Sequence, residues 1–155
     1  MIIQGTGKWC RIVGEPAPNK FKNNAREWSF ELYLDEANQR KLLDAGMKPS
    51  YLKDKGDGVF IQFTRDEFRK DGSPGKAFEI VDAAKNPWPE GKLIGNGSTL
   101  NVMVTLNERE FHKEKFLKPS ALKVQVWEWK EYKKDDGFPE GDSPFELTDA
   151  ESENW

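Results

Sequence analysis

At 155 residues, 33% of them charged, the chain is expected to form one soluble domain with a sizeable core, and it holds no apolar run of membrane-spanning length. Its single cysteine, Cys10, excludes an internal disulfide and fits a reducing cytosol, and the start MIIQGTGKWCRIVG has neither the basic nor the long apolar region of a secretion signal. The net charge of −3 hides a division: residues 135–155 carry eight carboxylates and no Lys or Arg, so 24 basic side chains face only 19 of the 27 acidic ones in residues 1–134, a body of about +5 and a tail of −8.

In chain order, GKWCRIV (7–13) is β-like and EPAPNKFKNN (15–24) is a loop punctuated by prolines and asparagines. REWSFELYL (26–34) alternates, with Trp28, Phe30, Leu32 and Leu34 on one face and Ser29, Glu31 and Tyr33 on the other. DEANQRKLLDAG (35–46) reads as a helix that Asp35 caps and Gly46 stops. GVFIQFTR (58–65) is a strand with Val59, Ile61 and Phe63 inward. DEFRKDGSPGK (66–76) carries turn signals, and AFEIVDA (77–83) is expected to answer as the partner strand. AKNPWPEGKLIGNGS (84–98) is a long loop around Trp88, and TLNVMVTL (99–106) is an alternating strand. NEREFHKEKFLKPS (107–120) has the pattern of a short helix capped at Asn107, with Glu110 three residues on. ALKVQVWEWK (121–130) closes the set, with Leu122, Val124 and Val126 inward and Lys123, Gln125, Trp127 and Trp129 on the opposite face.

About six strands and one well-marked helix point to an all-β class with one or two short helices. The expected architecture is an oligonucleotide-binding (OB)-like antiparallel barrel of five to six strands. The helix follows the second visible strand, whereas the usual helix of that barrel follows the third. Either a first strand running from Ile2 to Val13 is bent and counts as two, or the helix is an insertion. The organisation is a body domain over 1–134 and a disordered acidic tail over 135–155, with two prolines, few aliphatics and no periodicity. Trp155 adds nothing to solubility, so the tail reads as an interaction segment.

The loops interleave cations with aromatics. Lys20 and Lys22 flank Phe21; Arg65, Arg69, Lys70 and Lys76 surround Phe68; Lys85 and Lys92 flank Trp88; Lys53 and Lys55, and Lys113, Lys115 and Lys118, add further charge. This pattern suits single-stranded nucleic acid, whose phosphates follow cations and whose bases stack on aromatic faces at roughly 1–3 kcal/mol each. Trp127 and Trp129 would then stand about 6–7 Å apart on one face, near the spacing of stretched bases. The alternative is that both tryptophans pack under a loop. The expected DNA contacts are Trp88, Trp127, Trp129, Phe68, Phe21, Lys20, Lys22, Arg65, Arg69, Lys70, Lys85, Lys92 and Lys123.

Other chemistries find less support. His112 has no Cys or His partner at ligand spacing, GSPGK (72–76) lacks the spacing of a phosphate loop, and Cys10 has no evident His partner. Asp54 with Asp57, or Asp66 with Glu67, could hold Mg²⁺ in a small nuclease, but carboxylates beside turns are commonplace. No cofactor, metal or membrane partner is expected, nor an enzyme. A carbohydrate-binding β-module would use exposed tryptophans but not the basic loops or the acidic tail.

The segments GVFIQFTRDEF, GSPGKAFEIVDA and NPWPEGKLIGNGSTLNVMVTL, followed by a Trp-containing strand and an acidic tail ending in an aromatic, resemble the small phage-encoded single-stranded DNA-binding proteins of the OB fold. LIGNGS (93–98) leading into TLNVMV is the most distinctive piece, and the similarity covers roughly residues 58–132 plus the tail. The resemblance implies a protein that coats single-stranded DNA during phage replication, recombination and repair without sequence preference, in the cytoplasm of the infected bacterium. It also implies a tail that competes with DNA for the groove and recruits polymerase and helicase-primase, through Asp149, Glu151, Glu153 and Trp155. Family members are often homodimers.

Overall fold

The computed structural model describes residues 1–132, so the acidic tail and its four partner-binding candidates lie outside the described residues. The elements are β1 (Ile2–Arg11), β2 (Ala17–Asn19), a 3-10 turn (Lys20–Lys22), β3 (Ala25–Tyr33), α1 (Glu36–Asp44), a second 3-10 turn (Pro49–Tyr51), β4 (Leu52–Asp54), β5 (Val59–Asp66), β6 (Glu79–Asp82), β7 (Ser98–Phe111) and β8 (Glu114–Glu128). The strands form one eight-stranded sheet in the order β4-β5-β3-β1-β7-β8-β6, with β2 alongside β3. The five long strands, β5-β3-β1-β7-β8, curl into an OB-like barrel left open between β5 and β8. Across that seam the Arg65 guanidinium donates to the Ala121 carbonyl at 2.8 Å and lies 5.0 Å over the Phe78 ring. No helix among the described residues is long and apolar enough to cross a membrane.

Alternation through β3 and the residue after it does what the pattern demands. Trp28, Phe30, Leu32 and Leu34 all turn into the core, where Phe30 packs on Phe63 and edge-on against Phe78, both at 5.3 Å. Each such buried aromatic stabilises the fold by roughly 1.5–3 kcal/mol relative to exposure. Helix α1 begins where Asp35 accepts the Asn38 N–H at 2.9 Å, and Gly46, at φ 99°, ends it. Its fully buried Leu42 plugs the barrel, and Asn38 accepts the Gln4 N–H from β1 at 3.0 Å. β1 is one strand pairing with both β3 and β7, so the helix does lie between the second and third barrel strands.

Four expectations need correction. Residues 107–120 are not helical: β7 and β8 continue as a hairpin through His112 and Lys113, whose φ values of 49° and 65° make the primed turn that matches strand twist. Asn107 donates its side-chain amide to Ser120 across the ladder at 3.1 Å rather than capping a turn. Residues 77–83 do not pair with β5; β6 runs parallel to β8, which makes the sheet mixed rather than antiparallel. The intervening loop closes on itself instead, through Arg69 N–H to Ser73 O at 2.8 Å and Gly75 N–H to Glu67 O at 2.7 Å. The strand count is eight, since β2 and β4 are three-residue edges too short to show a period.

The fourth correction concerns β8. Its register against β7 slips twice, once at Leu122 and once at Trp127, so a simple alternation does not run from Leu122 to Trp129. Val124 and Val126 are buried as expected, but Leu122 is pushed outward at the first bulge and Ala121 takes the inner position.

Outside the barrel an amide ladder crosses three strands, pins their register and reaches the residue after β6: Gln4 donates to Asn101 at 2.9 Å, Asn101 to Gln125 at 3.0 Å, and Gln125 to the Ala83 carbonyl at 3.2 Å. Inside, β1 approaches β3 closely at Gly5, where an added Cβ would sit 2.3 Å from the Tyr33 carbonyl oxygen. Backbone cannot yield as a flexible side chain can. Gly5→Ala is therefore expected to lower stability by about 2–3 kcal/mol, read as a lower urea midpoint at unchanged slope.

Candidate nucleic-acid interface

The outer face of β1, β3 and β5 forms a groove enclosing about 390 Å³, with Ser29, Glu31 and Gln62 along its floor and the 17–21 segment as its far wall. Phe21 stands at the rim, fully exposed, held by Asn19, whose side chain accepts the Phe21 N–H at 2.9 Å. The near wall is Trp9 and Arg11, and Trp9 is 59% exposed. Between Lys8 and Arg11 the pairing of β1 with β3 gains one residue, and Trp9 takes φ 51°, a left-handed conformation unusual for so bulky a side chain. The bulge turns the indole out of the strand's ordinary alternation.

Two carboxylates lie buried on the floor, which looks unsuited to an anionic ligand until their partners are counted. Glu27 accepts from Lys22 and from the Asn19 amide, each at 2.8 Å, and Glu31 accepts from Lys55 at 2.7 Å and from the Tyr33 hydroxyl at 3.2 Å. The hydrogen bond to Glu27 raises Lys22 above the ordinary lysine value. Burial, reinforced by the Glu31 charge, pushes the Tyr33 hydroxyl up to about 12. Lys22 and Lys55 therefore neutralise the floor, one carboxylate each. Arg11 and Lys20 have no carboxylate within 4.0 Å among the described residues, and their charge is open to a phosphate.

Trp9 and Arg11 also line a second groove, with Cys10, Ile94, Asn96, Lys130, Glu131 and Tyr132. Tyr132 is 54% exposed, and Lys130 has no ion-pair partner among the described residues. The two grooves share the Trp9–Arg11 wall, so aromatics recur along one path, from Phe21 over Trp9 to Tyr132, each with a cation beside it that has no ion-pair partner among the described residues.

The residues singled out from sequence are divided by the structure. Lys20, Phe21 and Lys22 meet at the first groove. Trp88 and Trp129 pack edge-on at 5.7 Å, and each donates its indole N–H to the 84–93 loop, Trp88 to the Lys92 carbonyl at 2.8 Å and Trp129 to Leu93 at 3.0 Å. Trp88 is half-buried against the core and Trp129 43% exposed, so both brace that loop and present only part of their rings. Trp127 is half-exposed at its bulge. Arg65 closes the barrel seam; Arg69 lines a separate groove with Thr64, Asp66 and Lys76; Phe68 and Lys70 lie exposed in the same loop. Lys85 and Lys123 lie on the outer face of β6–β8 beside Ile2 and Met103, and Lys123 pairs with Glu79 at 3.2 Å.

Sequence reading missed Trp9, Arg11, Gln62, Asn96, Lys130 and Tyr132. The available signal was Trp9 lying between Lys8 and Arg11, the same interleaving of cation and aromatic that marked the loops. Of the carboxylates considered for Mg²⁺, Asp57 pairs with Lys8, Asp66 with Lys22 and Glu67 with Arg26, while Asp54 accepts the Gly56 N–H. No group of three or more metal-ligating side chains occurs among the described residues.

No family model matches the sequence, and no curated protein matches it at a significant level. Solved structures do match the fold. That of gp2.5, a single-stranded DNA-binding protein encoded by bacteriophage T7, superposes with a TM-score of 0.64 over 91% of this chain and 97% of that one, at 17% identity. The single-stranded DNA-binding protein from bacteriophage Enc34, as a C-terminal truncation, gives 0.57 over 84% of this chain and 86% of that one, at 10% identity. The same Enc34 protein in complex with ssDNA gives 0.55 over 88% of each chain, also at 10% identity. The chain thus shares the fold of phage-encoded single-stranded DNA-binding proteins.

Cys10 sits in the wall of the second groove, yet burial, and then the Glu31 charge, push its thiol up to about 12. The thiolate is the nucleophile, so the folded protein is expected to leave Cys10 unmodified by a disulfide reagent at neutral pH. Unfolding in guanidinium should release one reactive equivalent. Prompt stoichiometric reaction of the native chain would contradict this burial.

Proposed function

We propose that the chain is a non-enzymatic single-stranded DNA-binding protein that coats DNA without sequence preference. The observation that carries the reading is the pair of grooves joined at Trp9: exposed aromatics beside cations that have no carboxylate partner among the described residues, on the sheet face and first inter-strand loop that oligonucleotide-binding barrels use. Bases would stack on Phe21, Trp9 and Tyr132, while phosphates meet Lys20, Arg11 and Lys130. Stacking reads a ring face rather than a base edge, which explains indifference to sequence. The fold likeness to the T7 protein, and to the Enc34 protein in complex with ssDNA, supports the same reading.

The other candidates take different places in it. Trp127 and Trp129 lie just before Lys130 and would extend the path at its exit, with Trp88 and Lys92 beneath them. Phe68, Arg69 and Lys70 would offer outlying contacts at the end of β5. Lys22 and Arg65 support the groove and the seam, and Lys85 and Lys123 stand off the path. The acidic tail, 135–155, would compete with phosphates for the cations from a high effective concentration. Once DNA displaced it, Asp149, Glu151, Glu153 and Trp155 would be free for replication proteins such as a polymerase or helicase-primase. A protein with this role would work in the cytoplasm of an infected bacterium.

A tryptophan-fluorescence titration with oligo(dT), at two salt concentrations, tests the reading. Binding should quench fluorescence and weaken with salt at a log–log slope of about −0.7 per phosphate neutralised. A chain truncated to residues 1–134 should bind more tightly than the full chain, chiefly at low salt. Absence of binding would overturn the proposal, and equal affinity of both chains at low salt would overturn the role of the tail.

A further inference from the structure

We infer that Asn96 is a positioning residue for single-stranded DNA and acts through Trp9, an inference that rests on the DNA-binding reading above. The bulge in β1 leaves the Trp9 N–H outside the β-ladder, in a backbone conformation that bulky side chains avoid and that persists only when neighbours over-determine it. The Asn96 side-chain carbonyl accepts that N–H at 2.8 Å. This contact holds the strained residue by its own backbone N–H.

Asn96 can do this because the turn it crowns is fastened on both sides. Gly97, at φ 96°, donates its N–H to the Gly7 carbonyl at 3.0 Å, two residues before Trp9. Gly95 donates to the Lys130 carbonyl at 2.7 Å, and the Ser98 hydroxyl oxygen accepts the Lys130 N–H at 2.9 Å. Neither glycine can be exchanged freely: a Cβ on Gly95 would lie 2.5 Å from the Glu131 carbonyl oxygen, and one on Gly97 would lie 3.1 Å from the Lys130 side chain. The motif GNGS (95–98) is thus a clasp. One arm sets the Trp9 indole between the grooves, and the other sets Lys130 at the mouth of the second.

Without the Asn96 acceptor, Trp9 relaxes towards extended φ, the indole leaves the shared wall, and the stacking surface is lost while the barrel stays intact. A double-mutant cycle on the full chain tests this, with binding read by the anisotropy of labelled oligo(dT) and folding by circular dichroism. Trp9→Gly accommodates the left-handed conformation and removes only the ring; weakening of about 10-fold or more is expected from lost stacking. Asn96→Ala alone should weaken binding about 5-fold, yet by less than about 1.5-fold when added to Trp9→Gly. Asn96→Asp keeps the acceptor, and at high salt, where its charge is screened, should bind within about 2-fold of the wild type. Equal losses from Asn96→Ala in both backgrounds, no loss from Asn96→Ala alone, or Asn96→Asp as weak as Asn96→Ala at high salt would each overturn the assignment. If the wild-type chain bound no oligo(dT), the DNA-binding reading would itself fall, and this role with it.

Discussion

One strand, β1, must hydrogen-bond β3 on one edge and β7 on the other while the sheet curls around Phe30 and Leu32. A regular strand that bends so sharply loses its ladder on one side. The chain resolves this with two local devices: glycines at positions 5 and 7, where an added Cβ would press on the Tyr33 carbonyl oxygen and the Leu100 side chain, and an extra residue at Trp9. The bend that closes the barrel and the projection of Trp9 from its surface therefore have a common cause. The groove follows from closure: once β1 turns away at the bulge, the 15–24 loop stands off from the sheet, and the gap between them becomes the cleft that Phe21 and Trp9 flank.

Charge is arranged in two depths. The buried carboxylates Glu27 and Glu31 are matched by Lys22, Lys55, Asn19 and Tyr33, which order the loop over the sheet. An unmatched carboxylate at that depth would repel phosphate and be costly to bury. The outer layer, Arg11, Lys20 and Lys130, has no such partners among the described residues. Counting basic residues along the chain cannot separate the two layers, because separation depends on which side chain finds an acid across the sheet. Lys20 and Lys22 are two residues apart and play different parts.

The same distinction explains what was legible beforehand. Strand β3 and helix α1 were readable because their signals are local: an alternation of large apolar residues, an aspartate cap and a glycine stop. The fold class followed from strand number and size. The β7–β8 hairpin was hidden, since its turn is His112-Lys113 rather than a glycine pair, and NEREFHKEKF carries charge on both faces. The parallel pairing of β6 with β8 is a long-range event with no local mark. In β8, two bulges broke the parity on which the opposition of Leu122 to Trp127 and Trp129 rested. Of the interface, the Lys20-Phe21-Lys22 loop was visible, while Trp9 read as an ordinary strand residue because nothing in GKWCR announces a bulge.

The most direct test of the proposed DNA path is ultraviolet cross-linking of oligo(dT) to the full chain, with the adducts mapped by mass spectrometry. Adducts on Phe21, Trp9 and Tyr132 are expected, since those rings line the joined grooves. Adducts confined to Trp127 or to the outer face around Lys85 and Lys123, with Trp9 unmodified, would contradict a strand path across the β1 bulge.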